Sequence, residues 1–76
     1  MINELDLVVL TRDIDEAHLK AGDVGTVVGL YTDPRGFEVE FTTLNGETIT
    51  VTTVPADSVR PIEPREIAHA RRVAHS

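Results

Sequence analysis

The chain has 76 residues, of which 41% are hydrophobic and 26% charged, and its formal net charge is −6. This length holds one small domain, and the composition is that of a soluble globule rather than a disordered tail. The absence of cysteine excludes disulfides, thiol catalysis and cysteine-ligated zinc. Without a basic, apolar leader or an apolar run of about 20 residues, we expect a cytoplasmic protein that has no membrane association.

The charge is unevenly distributed along the chain. Residues 1–63 contain twelve acidic and four basic residues, a net −8, whereas residues 64–76 have a net +2. An acidic body repels phosphate backbones and attracts basic partners, so nucleic-acid binding by the body is disfavoured. We therefore divide the chain into a domain over residues 1–63 and a tail over residues 64–76.

The first part of the domain predicts a strand followed by a charged loop. Residues 5–11 are apolar and β-branched, which favours a strand. Residues 12–18 interrupt this pattern with a concentration of charged side chains and predict a solvated loop. Leu19, at the far end of the loop, is expected to attach it to the core.

A second strand is predicted over residues 24–31, after a tight turn that uses the conformational freedom of Gly22. This strand contains Gly25 and Gly29. Glycine inside a strand indicates a bend, a bulge or a close backbone approach, as the corners of a small barrel require.

The clearest pattern is the strict alternation of residues 37–42, which directs Phe37, Val39 and Phe41 inward. The pair Asn45-Gly46 then predicts a hairpin with a primed turn.

The returning strand, residues 47–53, is expected to direct Ile49 and Val51 inward and its alternate threonines outward. These threonines are Thr48, Thr50 and Thr52. A short helical turn and a last strand over residues 59–62 complete the domain.

Five short strands joined by tight turns, without a long helix, predict an all-β fold, a small five-stranded antiparallel barrel. Closure of the sheet would hide edges that promote aggregation. The tail is expected to be either a short helix or disordered, because its apolar stripe is thin and a helix of this length is unstable alone.

Three separated motifs resemble a bacterial family of short proteins classified as a domain of unknown function. They are residues 4–13 with 19–28 (ELDLVVLTRD and LKAGDVGTVV), residues 37–41 (FEVEF), and a closing Val54-Pro55 with Val59-Arg60-Pro61. The resemblance covers about residues 4–61 and implies a barrel of SH3-like shape without an assigned activity.

Residues 21–27 (AGDVGTV) are also similar to the KOW motif of ribosomal and transcription-elongation barrels. The motif is short, and its glycines serve any turn of this kind. The lysine and arginine cluster that accompanies RNA contact in such barrels is missing here. We transfer no function from this similarity.

The sequence offers little catalytic chemistry. Neither Ser58 nor Ser76 lies in a nucleophile-elbow pattern, and Glu38 and Glu40 are expected on the exposed face of a strand. The acidic residues around His18 could attract a hydrated divalent cation, but they lack the spacing of a calcium loop. We predict no enzyme activity, no cofactor and no metal site.

The leading hypothesis is a non-catalytic protein-binding module, of antitoxin or immunity type, that binds a larger basic protein. Its expected contact residues lie in the charged loop and in the turn after the second strand: Asp13, Asp15, Glu16, Tyr31, Asp33 and Arg35. One alternative is an RNA- or ribosome-associated barrel that uses the KOW-like turn and the basic tail. Another is a structural module that self-associates through the threonine face or the tail.

Overall fold

A computed structural model describes residues 2–30 and 36–73 of the chain. It contains five strands and two single-turn 3-10 helices. The strands are β1 (Leu7–Leu10), β2 (Val24–Leu30), β3 (Gly36–Thr42), β4 (Thr48–Pro55) and β5 (Val59–Pro61). The 3-10 helices are Asp15–Ala17, in the loop between β1 and β2, and Ala56–Ser58, between β4 and β5. Among the described residues, no helix is long and apolar enough to cross a bilayer.

The five strands form one antiparallel sheet in the order β4-β3-β2-β1-β5, which is the order of an SH3-like barrel. The predicted all-β fold is therefore confirmed. The backbone hydrogen bonds leave β4 and β5 as the edges of an open sheet. The two edges are joined by only one 3-10 turn, and Val54 of β4 packs in the same core as Val59 of β5. The two edge strands therefore share one core, although no hydrogen-bonded ladder joins them.

The core is one apolar cluster to which every strand contributes. Its buried members are Val8, Leu10, Leu19, Val27, Val39, Phe41, Val54 and Val59. Phe37 is half-buried and packs against this cluster. The inward direction predicted for Phe37, Val39 and Phe41 is thus confirmed, as is the attachment of the loop through Leu19.

The predicted orientation of β4 is wrong. Ile49 and Val51 were expected inside, but they are 39% and 47% exposed, whereas Val54 on the same strand is fully buried. The alternate residues Thr50 and Thr52, expected outside, are half-buried.

The reason lies in the register of β4 against β3. Opposed residues of an antiparallel pair lie on the same face, and Phe41 is opposite Thr50. The next pair is Thr42 with Thr48, so an irregularity at this point leaves Ile49 without an opposed residue. One extra residue in β4 moves the residues expected inside to the outer face, and those expected outside to the inner face. The alternation of residues within β4 alone does not show where such an extra residue lies.

Both glycines of β2 have structural roles of the predicted kinds. A Cβ on Gly25 would lie 2.5 Å from Val39 Cγ1 and 2.8 Å from Phe41 Cε1, so only glycine lets β2 approach the core this closely. At Gly29 the register against β3 shifts, which marks a bulge.

The hairpin predicted at Asn45-Gly46 is present, but its turn is not a primed one. The Gly46 N–H donates to the Thr43 carbonyl at 3.0 Å, and the Thr43 N–H donates to the Glu47 carbonyl at 2.8 Å. Gly46 has φ +96°, whereas Asn45 does not have a positive φ. This is the pattern of a type I turn followed by a glycine bulge.

The described part of the tail contains no helix, so the helical alternative is wrong for residues 64–73. The chain turns once at Pro64 and Arg65 and then continues without regular structure. Its side chains form two ion pairs, Arg60 with Glu66 and Arg71 with Asp23.

Candidate functional site

The charged loop, residues 12–18, exposes carboxylates on a short segment that two backbone hydrogen bonds close. The Ile14 N–H donates to the Leu19 carbonyl at 2.9 Å, and the Leu19 N–H donates back to Ile14 at 3.1 Å. Asp15 and Glu16 occupy the 3-10 turn between them and are exposed. Because Ile14 is half-buried and packs on the core, the loop holds these two carboxylates outward.

Asp13 connects this loop to the turn that follows it. Its Oδ1 accepts a hydrogen bond from the Ala21 N–H at 2.8 Å, and its Oδ2 lies 3.8 Å from Lys20 Nζ. Asp13 is therefore partly engaged within the molecule, whereas Asp15 and Glu16 point into solvent.

The turn over residues 20–23 holds a second carboxylate in a defined position. The Asp23 N–H donates to the Lys20 carbonyl at 3.0 Å, and Gly22 has φ +94°, as in a type II turn. Asp23 Oδ2 accepts the Lys20 N–H at 2.9 Å. The turn is bound to β1 because the Gly22 N–H donates to the Leu10 carbonyl.

The tail supplies a cation to this carboxylate. Arg71 Nε lies 2.7 Å from Asp23 Oδ1, and Arg71 Nη2 lies 2.5 Å from Asp23 Oδ2. Nη2 also donates a long hydrogen bond, 3.5 Å, to the His18 carbonyl of the charged loop. This two-bond geometry uses the planar fork of arginine, which lysine does not have.

Partial burial and their mutual hydrogen bonds shift the pKa values of both Asp23 and Arg71. Burial by itself raises the pKa of Asp23, but the hydrogen bonds from Arg71 and from the Lys20 N–H outweigh this effect and hold the pKa below the usual range of an aspartate. The pKa of Arg71 is raised, chiefly by its hydrogen bonds to Asp23, with a contribution from the charge of Asp13. Asp13 and Asp23 thus act on the same guanidinium.

A groove of about 800 Å³ lies between the turn, the β3–β4 hairpin and the tail. Its apolar lining on the domain side is Leu19, Val24, Phe41, Leu44 and Ile49. Residues 68–73 line it on the tail side, and Asp23 and Arg71 lie in its wall. An acidic anchor beside an apolar groove can hold a basic, extended chain segment.

Only part of the predicted contact set belongs to this surface. Asp13, Asp15 and Glu16 are in the charged loop next to Asp23, but Tyr31, Asp33 and Arg35 lie outside the described residues. Within residues 2–30 and 36–73, no group of three or more histidine, cysteine or acidic side chains is placed to hold a metal ion.

Sequence reasoning missed Asp23 and Arg71 as partners. Each lies in a segment that the sequence does single out, the KOW-like turn and the basic tail, and their opposite charges favour contact. They are 48 positions apart in the chain, however, and no spacing rule pairs residues at that separation.

The strand order and the tail-lined groove define a small SH3-like module with an acidic end, residues 12–23. The chain belongs to the family described as a domain of unknown function (DUF4926), which matches residues 4–61. The family resemblance predicted from the motifs is thus confirmed. Comparison with curated proteins found no match, and comparison with solved structures found none either. Asp23 lies inside the matched region and Arg71 outside it.

Proposed function

We propose that this chain is a non-catalytic protein-binding module whose acidic end, residues 12–23, binds a basic protein. The observation that carries the proposal is the ion pair between Asp23 and Arg71, in which the acidic end already holds an arginine of an irregular segment. The exposed carboxylates of Asp15 and Glu16 extend the same negative surface. Complementary charge of this kind steers association and selects partners.

An antitoxin or immunity-type role is the form of this function that the size and charge of the chain favour. A small protein with a domain at −8 can neutralise a larger basic protein by covering its positive surface. The absence of cysteine fits such a role in the cytoplasm of a bacterium, where disulfides are rare.

The two alternatives have weaker support. RNA binding through the basic tail would use Arg71, which is already paired with Asp23. Self-association through the threonine face would need Thr50 and Thr52 outside, but both are half-buried.

The test measures whether partner affinity depends on the charged loop. The partner is identified by affinity purification of the full-length chain, and its binding is then measured by calorimetry with both proteins purified. Replacing Asp15 and Glu16 with alanine should weaken binding about tenfold in low salt, and the difference should shrink as NaCl rises from about 50 to about 300 mM.

A charge-matched control replaces Glu4 and Glu63, two exposed acids outside residues 12–23, with alanine. This control should leave affinity nearly unchanged. If both double variants lose the same affinity, the loss reflects net charge alone, and the acidic end is not the binding surface.

A further inference from the structure

The groove beside Asp23 is only partly occupied by the tail. On the tail side its wall includes Ala68 and Ala70, whose side chains are the smallest after glycine. On the domain side, Leu44 is 87% exposed and Ile49 is 39% exposed although both line the groove. The tail therefore supplies the cation for Asp23 but leaves apolar wall uncovered.

Resting on the proposed function, we propose that this groove binds an extended peptide segment of the partner in which an arginine lies among large apolar residues. The arginine takes the place of Arg71 on Asp23, and the apolar side chains cover Leu44 and Ile49. The tail is an internal, weaker occupant of the same site, which the partner segment displaces.

Charge and geometry both specify this occupant. The two oxygens of Asp23 face Nε and Nη2 of one guanidinium, an arrangement that lysine cannot reproduce. The charge of Asp13 and the His18 carbonyl add to the preference for a cation at this point. Burial of apolar surface favours binding, so leucine in place of alanine should strengthen binding if the groove receives it.

The tail competes because it is tethered. A segment on the same chain has an effective concentration that reaches the millimolar range for short linkers, so a weak internal ligand still masks its site. Replacing Arg71 by glutamine should release the site while leaving the domain and the length of the tail unchanged. Replacing the adjacent Arg72 by glutamine makes the same change in charge without removing the ion pair to Asp23.

The test titrates short capped peptides into full-length protein and follows binding by NMR. The reference peptide copies residues 67–73, and three variants carry Arg71→Lys, Arg71→Gln, or leucine for both Ala68 and Ala70. The proteins are the unmodified chain, R71Q, R72Q, and R71Q with D23N, in which the asparagine oxygen can still accept the Lys20 N–H.

We expect the R71Q chain to bind the reference peptide at least tenfold more tightly than either the unmodified chain or R72Q. The leucine peptide should bind R71Q at least a further tenfold more tightly. Adding D23N, or using the Lys or Gln peptide, should weaken binding at least fivefold, with chemical shifts changing at Leu44 and Ile49 only when the peptide binds.

Three results would overturn the proposal: equal binding by R71Q with and without D23N, no gain from leucine, or equal binding by R71Q and the unmodified chain. If D23N fails to fold, the Gln peptide still tests the contact with Asp23, because it lacks the guanidinium that Asp23 would bind. A dimer of R71Q that the peptide does not dissociate would assign the groove to a second copy instead. Failure here is distinguishable from failure of the proposed function, because Asp15 and Glu16 do not line the groove.

Discussion

The guanidinium of Arg60 and the carboxylate of Glu66 form two parallel contacts, Nη1 to Oε1 at 2.9 Å and Nη2 to Oε2 at 2.6 Å. Arg60 belongs to β5 and Glu66 to the tail, so this pair attaches the start of the tail to the last strand. Glu66 Oε1 also accepts the Glu63 N–H at 2.7 Å, which closes the intervening turn.

Acid pH should release the start of the tail from β5 by protonating Glu66. The hydrogen bonds from Arg60 and from the Glu63 N–H lower the pKa of Glu66 from 4.5 to about 2. A carboxyl whose pKa is depressed in the folded state stabilises that state above its unfolded pKa and ceases to do so as the pH falls through its folded pKa. We expect the Glu63 amide resonance to keep its folded position down to about pH 4.5 and to lose it progressively toward pH 2.

Glu66→Gln should remove this pH dependence, and Glu63→Gln, which leaves the Glu63 backbone donor in place, should retain it. NMR titration of the full-length chain makes the measurement. An acid transition that persists in Glu66→Gln would mean that another group controls the attachment.

Gly25 should tolerate no side chain. Because a Cβ at this position would overlap Val39 and Phe41, Gly25→Ala should lower the free energy of unfolding by about 1–3 kcal/mol, as overpacking of a core does. Gly29→Ala is the matched control, since its nearest contact would be Glu38 Cβ at 3.3 Å. Urea denaturation should show a clearly smaller change for Gly29→Ala, and equal changes would contradict the close approach at Gly25.

The corrected orientation of β4 predicts opposite results for two valines on that strand. Val54 is fully buried, so Val54→Ala should destabilise the domain by about 2 kcal/mol through lost burial and a cavity. Val51 is 47% exposed, and Val51→Ala should change stability by less than about 0.5 kcal/mol. The reverse ranking in urea denaturation would restore the orientation expected from alternation.

The geometry of the hairpin turn predicts that alanine at Gly46 costs more stability than alanine at Asn45. Gly46→Ala forces a side chain into a positive φ and should cost about 1–2 kcal/mol. Asn45 does not have a positive φ, so Asn45→Ala loses only the 2.5 Å hydrogen bond with Thr43 Oγ1 and should cost about 1 kcal/mol or less. Equal and large costs at both positions would indicate a primed turn. Thermal unfolding of both variants provides the comparison.

The sequence predicted the fold well because its determinants are local. Alternation over Phe37 to Phe41, the glycines of β2 and the pair Asn45-Gly46 each act within a few residues, and each led to the correct element. The face of β4 was not predictable, because a single irregular position next to the hairpin exchanges inward and outward residues.

The candidate site was predicted only in part, for a related reason. Local composition identified the charged loop as an exposed acidic surface, and the structure holds Asp15 and Glu16 outward there. The ion pair of Asp23 with Arg71 depends on how the tail returns across the domain, which no periodicity encodes. Charge asymmetry between domain and tail indicated attraction without specifying which atoms meet.

The position of β1 in the sheet has a consequence for how the chain folds. β1 lies between β2 and β5, and Leu10 is opposite Val59, so one of its two ladders needs the last strand of the domain. Until that strand arrives, the first strand has only one hydrogen-bonded neighbour and the core lacks one of its walls. Pairing of β1 with β5 closes a long loop, and the chain loses conformational entropy before the contacts of that pair form. We therefore expect the N-terminal half to fold together with the last strand rather than before it.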